Sequence, residues 1–204
     1  MLKTRAAPPP PNEAPMQEVD AVVIGASAGA VEAVGLILAA LPRGYAPAVL
    51  VVIHVPAANE NLLVQVLAPR CALSVQEAGD KEPILGGTVY LAPPGYHLLV
   101  EPDLTFALSA DAPVNYSRPS IDVLFESAAY AYRERLLGIV LTGANADGAD
   151  GLALVRAFGG RAWVQQPDTA VASMMPASAI ERAGADRILS LPDMAAAVAA
   201  LQPA

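Results

Sequence analysis

Cysteine is almost missing. Cys71 stands alone in 204 residues, so no disulfide can close within the chain. Histidine is nearly as scarce, and neither His54, His97 nor Cys71 falls in a metal-ligand spacing. A reducing, metal-free setting fits these shortages, and Cys71 reads as a core residue. Basic side chains are also few. Twelve Lys and Arg against twenty Asp and Glu give a formal net charge of −8 with no basic run, so a phosphate backbone would be repelled and nucleic acid is not expected as a partner.

No secretory signal opens the chain, because Lys3 and Arg5 are followed by Pro8-Pro9-Pro10-Pro11 rather than by an apolar segment. Residues 1–18 read as a proline-rich disordered tail. Uninterrupted apolar length is lacking too. Ala21 to Leu41 is apolar apart from Glu32, but Gly25, Gly29 and Gly35 break it, and a β-branched start followed by alanine and leucine reads as strand, turn and helix. Membrane insertion is not expected.

What is abundant is apolar residues, at 54% of the chain, enough for one sizeable core and one domain over 19–204. Short β-branched runs alternate with alanine- and leucine-rich segments, which predicts a doubly wound, Rossmann-like α/β fold on a mostly parallel sheet. Strands are expected at Ala21 to Gly25, Val49 to Val55, Leu73 to Glu77, Leu136 to Thr142, Arg161 to Gln165 and Arg187 to Ser190. Helices are expected at Val31 to Leu41, Glu60 to Pro69, Ser120 to Tyr132, Gly151 to Phe158, Ala177 to Ala183 and Met194 to Leu201. From Gly87 to Leu108 short strands are separated only by turn residues, which predicts antiparallel hairpins at one sheet edge.

An open parallel sheet binds ligands beyond the carboxyl ends of its strands. Three such ends deliver polar groups: Ser27 after the first strand, His54 at the end of the second, and Asp147 in Gly143-Ala144-Asn145-Ala146-Asp147-Gly148. Serine, histidine and aspartate are the parts of a hydrolytic triad, in which histidine takes the serine proton and the carboxylate fixes the imidazole. Gly25-Ala26-Ser27-Ala28-Gly29 also satisfies the nucleophile-elbow pattern G-x-S-x-G, and the helix after it would aim free amides at an oxyanion. Blander readings stand beside these. Ser27 could cap a helix, His54 could be a hydrogen-bonded structural residue, and Asp147 could be a turn or N-cap. His97 competes as the base, with Asp80 or Asp103 as partner. Nucleotide binding is the weaker reading, because the loop lacks G-x-G-x-x-G, the second strand ends without an acidic residue, and no G-K-[ST] loop exists.

Assembled, the segments resemble the catalytic domain of bacterial chemotaxis protein-glutamate methylesterases, the CheB family. The resemblance is carried by Ile24-Gly25-Ala26-Ser27-Ala28-Gly29, His54-Val55-Pro56, Gly79-Asp80-Lys81-Glu82-Pro83, Val89-Tyr90-Leu91-Ala92-Pro93 with Gly95-Tyr96-His97-Leu98, and Pro113-Val114-Asn115. It continues through Arg118-Pro119-Ser120-Ile121-Asp122-Val123-Leu124-Phe125, Leu141-Thr142-Gly143-Ala144-Asn145-Ala146-Asp147-Gly148-Ala149 and Met175-Pro176-Ala177-Ser178-Ala179-Ile180. It implies a cytoplasmic, monomeric enzyme without cofactor that removes glutamyl methyl esters from the cytoplasmic helices of methyl-accepting chemoreceptors, releases methanol, and deamidates receptor glutamines as a related activity. By position it implies Ser27 as nucleophile, His54 as base, Asp147 as orienting carboxylate, and the main-chain amides of Ala28 and Ala144 as oxyanion donors. The family commonly has threonine at Ala28, glycine at Ala30, and methionine then glycine at Ala144 and Asn145. Those departures leave two alternatives: a silent homologue that binds receptors, or an esterase for another small ester. Full-length relatives usually carry an N-terminal receiver domain, whereas only the proline-rich tail is expected before the first strand here.

Overall fold

The computed structural model describes residues 18–54 and 62–201. The expected tail lies, apart from Glu18, outside the described residues, as do Val55 of the second predicted strand and the start of the helix predicted from Glu60. Nine strands are described, β1 (Ala21–Ala26), β2 (Ala48–Ile53), β3 (Ser74–Glu77), β4 (Thr88–Leu91), β5 (His97–Val100), β6 (Phe106–Ser109), β7 (Leu136–Val140), β8 (Arg161–Gln165) and β9 (Arg187–Leu189). Six α-helices accompany them, α1 (Ala30–Ala40), α2 (Leu62–Leu67), α3 (Ile121–Tyr132), α4 (Ala149–Ala157), α5 (Met174–Ala183) and α6 (Leu191–Ala199).

Seven strands form one sheet in the order β3-β4-β2-β1-β7-β8-β9, with every pairing parallel. Both faces are covered, which explains why the strands read as continuous apolar runs. Val22, Ile24, Val49, Val51, Leu137 and Ile139 point to one core, shared with α1 and α6. Ala21, Val23, Leu50, Val52, Leu136 and Val140 point to the other, shared with α3, α4 and α5. Cys71 is half-buried against the first core.

The doubly wound expectation holds, and so does an antiparallel hairpin, formed by β5 and β6. Two details differ. The hairpin is a separate two-stranded sheet, and β4, expected among the antiparallel strands, sits inside the parallel sheet between β3 and β2. Turn residues on both sides of β4 hide a parallel connection in the sequence, because the segment from Gly79 to Gly87 crosses over without a helix. Helix α5 starts at Met174, three residues before its predicted start, since Pro176 is tolerated in a first turn whose amide would be unpaired in any case.

The chain winds outward from β1 through β2, then returns to lay β7 on the other side of β1. The switch point of the sheet therefore lies between β1 and β7, where a crevice opens at the carboxyl ends of the strands. Glycine makes that corner possible. A Cβ on Gly25 would stand 2.3 Å from Ile121 Cγ2, and one on Gly148 would stand 2.7 Å from the same atom. Without either side chain, Ile121 packs down between the two strand ends and brings the first turn of α3 into the crevice.

Candidate active site

The three predicted residues reach this crevice by separate routes. Ser27 follows β1 directly, its amide donating to Thr142 O at 2.9 Å across the switch point. His54 follows β2, its amide donating to Ala26 O at 3.1 Å, next to the serine. Asp147 lies in the loop between β7 and α4, and its Oδ2 accepts from His54 Nε2 at 2.8 Å. No hydrogen bond joins Ser27 Oγ to His54 among those the described residues make. The charged carboxylate at Nε2 sets the tautomer, so the proton sits on Nε2 and Nδ1 keeps its lone pair.

Neither the Ser27 nor the Asp147 side chain caps the helix that follows it, although Asp147 does lie in the turn from Ala146 to Ala149. The N-cap of α1 is Gly29, in the left-handed region at φ 82°, and no side chain caps that helix. Gly148, at φ 93°, plays the same part for α4, again without a side-chain cap. Asp147 instead serves a different helix. Its two oxygens accept from Ile121 N at 2.7 Å and Asp122 N at 3.2 Å, so it closes the amino end of α3 from across the crevice, where the helix dipole favours negative charge. Ser120 Oγ donates to Asp147 Oδ1 at 2.8 Å and Asn115 Nδ2 donates to it at 2.9 Å.

The Asp147 side chain is fully buried. Burial alone would raise its carboxyl, but the hydrogen bonds from His54, Asn115, Ile121 and Ser120 outweigh that cost and hold it down at about 2. It is therefore a permanent anion facing the imidazole. Asp122, the second residue of α3, shows the opposite. Burial, together with the nearby Asp147 charge, raises its carboxyl to about 6, against the lowering effect of bonds from Gly151 N at 2.7 Å and Asn115 Nδ2 at 2.7 Å. Asn115 thus bridges two carboxylates. It sits at φ 50° beside Tyr116 at φ 61°, in a two-residue turn closed by Val114 and Ser117, and asparagine tolerates that left-handed backbone better than most residues.

His97 is elsewhere. It is buried on β5, accepts from Ser120 N at Nδ1 (3.1 Å), and donates from Nε2 to Ala112 O (3.1 Å). Neither expected partner reaches it: Asp80 accepts from Leu108 N and Asp103 from Thr105. Its effect on the crevice is to fix Ser120, which in turn holds Asp147.

Thr142 braces the serine loop. Its Oγ1 donates to Ala28 O at 2.8 Å and accepts from Ala172 N at 2.9 Å, while its own amide donates to the buried Gln165 Oε1 at 2.9 Å. Turning the Ala28 carbonyl toward Thr142 fixes the peptide planes around Ser27. Neither the Ala28 nor the Ala144 amide donates a hydrogen bond among the described residues, and both residues are exposed. Unspent amides of this kind are what a developing oxyanion requires.

A family model described as CheB methylesterase matches residues 22–198, an interval that holds every residue of this crevice. The chain belongs to the CheB methylesterase family. A solved structure, the CheB methylesterase catalytic domain of Thermotoga maritima, superimposes with a TM-score of 0.86 at 30% identity, over 90% of this chain and 99% of that one. A relative from Leptospira interrogans serovar copenhageni, named for protein-glutamate methylesterase and protein-glutamine glutaminase activity, is 47% identical over 86% of this chain and 91% of its own length. A Bordetella parapertussis protein-glutamate methylesterase/protein-glutamine glutaminase is 40% identical over 85% of this chain, which spans only 50% of that longer protein.

Within this CheB-family crevice, Asn115, Ser120 and Thr142 are the residues that reading by strand ends missed. All three lie in segments that carry the family resemblance, but nothing in their spacing announces a role. Each acts by orienting another group.

Proposed function

We propose that the protein hydrolyses glutamyl methyl esters on the cytoplasmic helices of methyl-accepting chemoreceptors, releasing methanol, and deamidates receptor glutamines by the same chemistry. The observation that carries this reading is the His54–Asp147 pair beside Ser27 at the switch point of a CheB-family sheet. His54 Nδ1 accepts the Ser27 proton as Oγ attacks the ester carbonyl, and Asp147 stabilises the imidazolium that results. The amides of Ala28 and Ala144 receive the oxyanion. The proton then passes to the methoxy oxygen, methanol leaves, and water resolves the acyl-enzyme with His54 again acting as base. The reaction runs on side chains and backbone amides alone.

The substrate lies on the cytoplasmic part of a receptor, so the enzyme works in the cytoplasm. In keeping with this, no helix among the described residues is long and apolar enough to cross a membrane. The test is methanol release from a methylated receptor fragment, run beside a small chromogenic ester. Turnover of the receptor with the higher kcat/KM supports the reading. Faster cleavage of the small ester contradicts the receptor assignment, and receptor binding without methanol contradicts catalysis.

A further inference from the structure

The lone pair that must take the Ser27 proton is not unattended. Asn145 Nδ2 stands 3.4 Å from His54 Nδ1. The orientation of this amide is fixed at its other end, where Asn145 Oδ1 accepts from Asp147 N at 3.2 Å. Reversing it would set an NH2 group against an N–H, so the nitrogen faces the histidine. The side chain is half-buried and spans the two members of the pair, touching the ring of one and the backbone of the other.

We propose that Asn145 is a positioning residue that holds His54 neutral and aimed in the resting enzyme, and releases Nδ1 when the Ser27 hydroxyl donates to it. This rests on the assignment of Ser27 as nucleophile and His54 as base. A donor aimed at Nδ1 stabilises the neutral ring only, because a protonated Nδ1–H would meet the Asn145 N–H head on. Asp147 acts in the opposite sense by favouring the imidazolium. The two residues on either side of the ring therefore act on it in opposite senses, one toward the neutral ring and one toward the imidazolium. During acylation the Ser27 O–H bond breaks, Nδ1–H and Oγ–C form, and Asn145 gives up its contact. The same proton later leaves on methanol. Among the described residues a further titratable group, Asp122, is joined to Asp147 through Asn115, and it is unchanged in the variants below.

The experiment measures the rate at which a fluorophosphonate labels Ser27 as a function of pH, in wild type, Asn145→Ala and Asn145→Asp, each normalised to its own plateau. No receptor is needed, so the result is independent of the substrate assignment. A long neutral hydrogen bond predicts that the acid limb of Asn145→Ala lies at higher pH, with labelling on that limb about threefold slower relative to plateau than in wild type. In Asn145→Asp an acceptor replaces the donor, and the limb moves further in the same direction, by about tenfold or more. A packing role would lower the plateau in both variants and leave the limb in place. Labelling with an unmoved limb, or one moved to lower pH, overturns the inference alone. Absence of labelling in folded wild type overturns the role of Ser27 and this inference with it.

Discussion

Replacing Asp147 with asparagine separates chemistry from folding, and both effects can be worked from the donors around it. Oδ1 accepts from Ser120, Asn115 and Asp122 N, whereas Oδ2 accepts from His54 Nε2 and Ile121 N. An amide keeps one acceptor. Placing its oxygen at Oδ1 preserves three bonds, so its NH2 group faces Ile121 N–H and the histidine. The Ile121 amide then goes unsatisfied at a cost of about 1–3 kcal/mol, and the three remaining bonds weaken by about 1 kcal/mol each on losing their charge. Removing a buried charge, and its repulsion of Asp122, offsets part of this. The net loss comes to about 3 kcal/mol, a fall of roughly 1.5 M in urea midpoint at a slope of about 2 kcal/mol/M. His54 can satisfy the new NH2 group only by accepting at Nε2, which puts its proton on Nδ1, where the base is needed. Activity should fall by about 10⁴ while the variant remains folded. Paired urea titration and ester turnover read both numbers. A folded Asp147→Asn protein within tenfold of wild-type activity would refute the tautomer argument, and an unchanged midpoint would refute the donor count.

Asp122 gives a pH prediction of opposite sign to that of Asp147. A carboxyl raised to about 6 favours the folded state below its unfolded value near 3.8 and loses that contribution as pH rises through 6. Asp147, held at about 2, contributes above 3.8 and loses its contribution only as pH falls toward 2. Urea midpoints of Asp122→Asn should therefore decline less than those of wild type between pH 4 and 6, and parallel curves would contradict the burial argument. Gly25→Ala places a methyl 2.3 Å from Ile121 Cγ2, which should cost about 1–3 kcal/mol by overpacking. Adding Ile121→Ala should recover part of that loss, and strictly additive thermal unfolding of the double variant would argue against the contact. Ser120→Ala removes one of three donors on Asp147 Oδ1 and should cost about 1 kcal/mol with a drop of about tenfold in turnover, read by the same two assays.

The sequence made the middle of the sheet legible because its central strands are buried on both faces and written as unbroken apolar runs rich in β-branched residues, as in Val22-Val23-Ile24 and Val49-Leu50-Val51-Val52-Ile53. The triad candidates were legible for a related reason: polar residues at the carboxyl ends of parallel strands gather on one edge whatever their separation in the chain. The placement of β4 was not, because a helix-free crossover leaves the same turn signals as a hairpin. Nor was the support around Asp147. Asn115, Ser120 and the α3 amides converge on it through a corner created by two absent Cβ atoms, at Gly25 and Gly148, and no periodicity encodes which side chain will occupy the space a glycine vacates. The Asn145 contact was illegible as well, since it depends on which way the amide is turned by the Asp147 N–H rather than on residue type.

The proposed reaction begins with Ser27 attacking the ester. Its most direct measurement is methanol release from a methylated chemoreceptor fragment by wild type and Ser27→Ala, with circular dichroism and thermal unfolding verifying that both are folded. Wild type should produce methanol steadily, and Ser27→Ala none above background. Equal rates from the two proteins would contradict it.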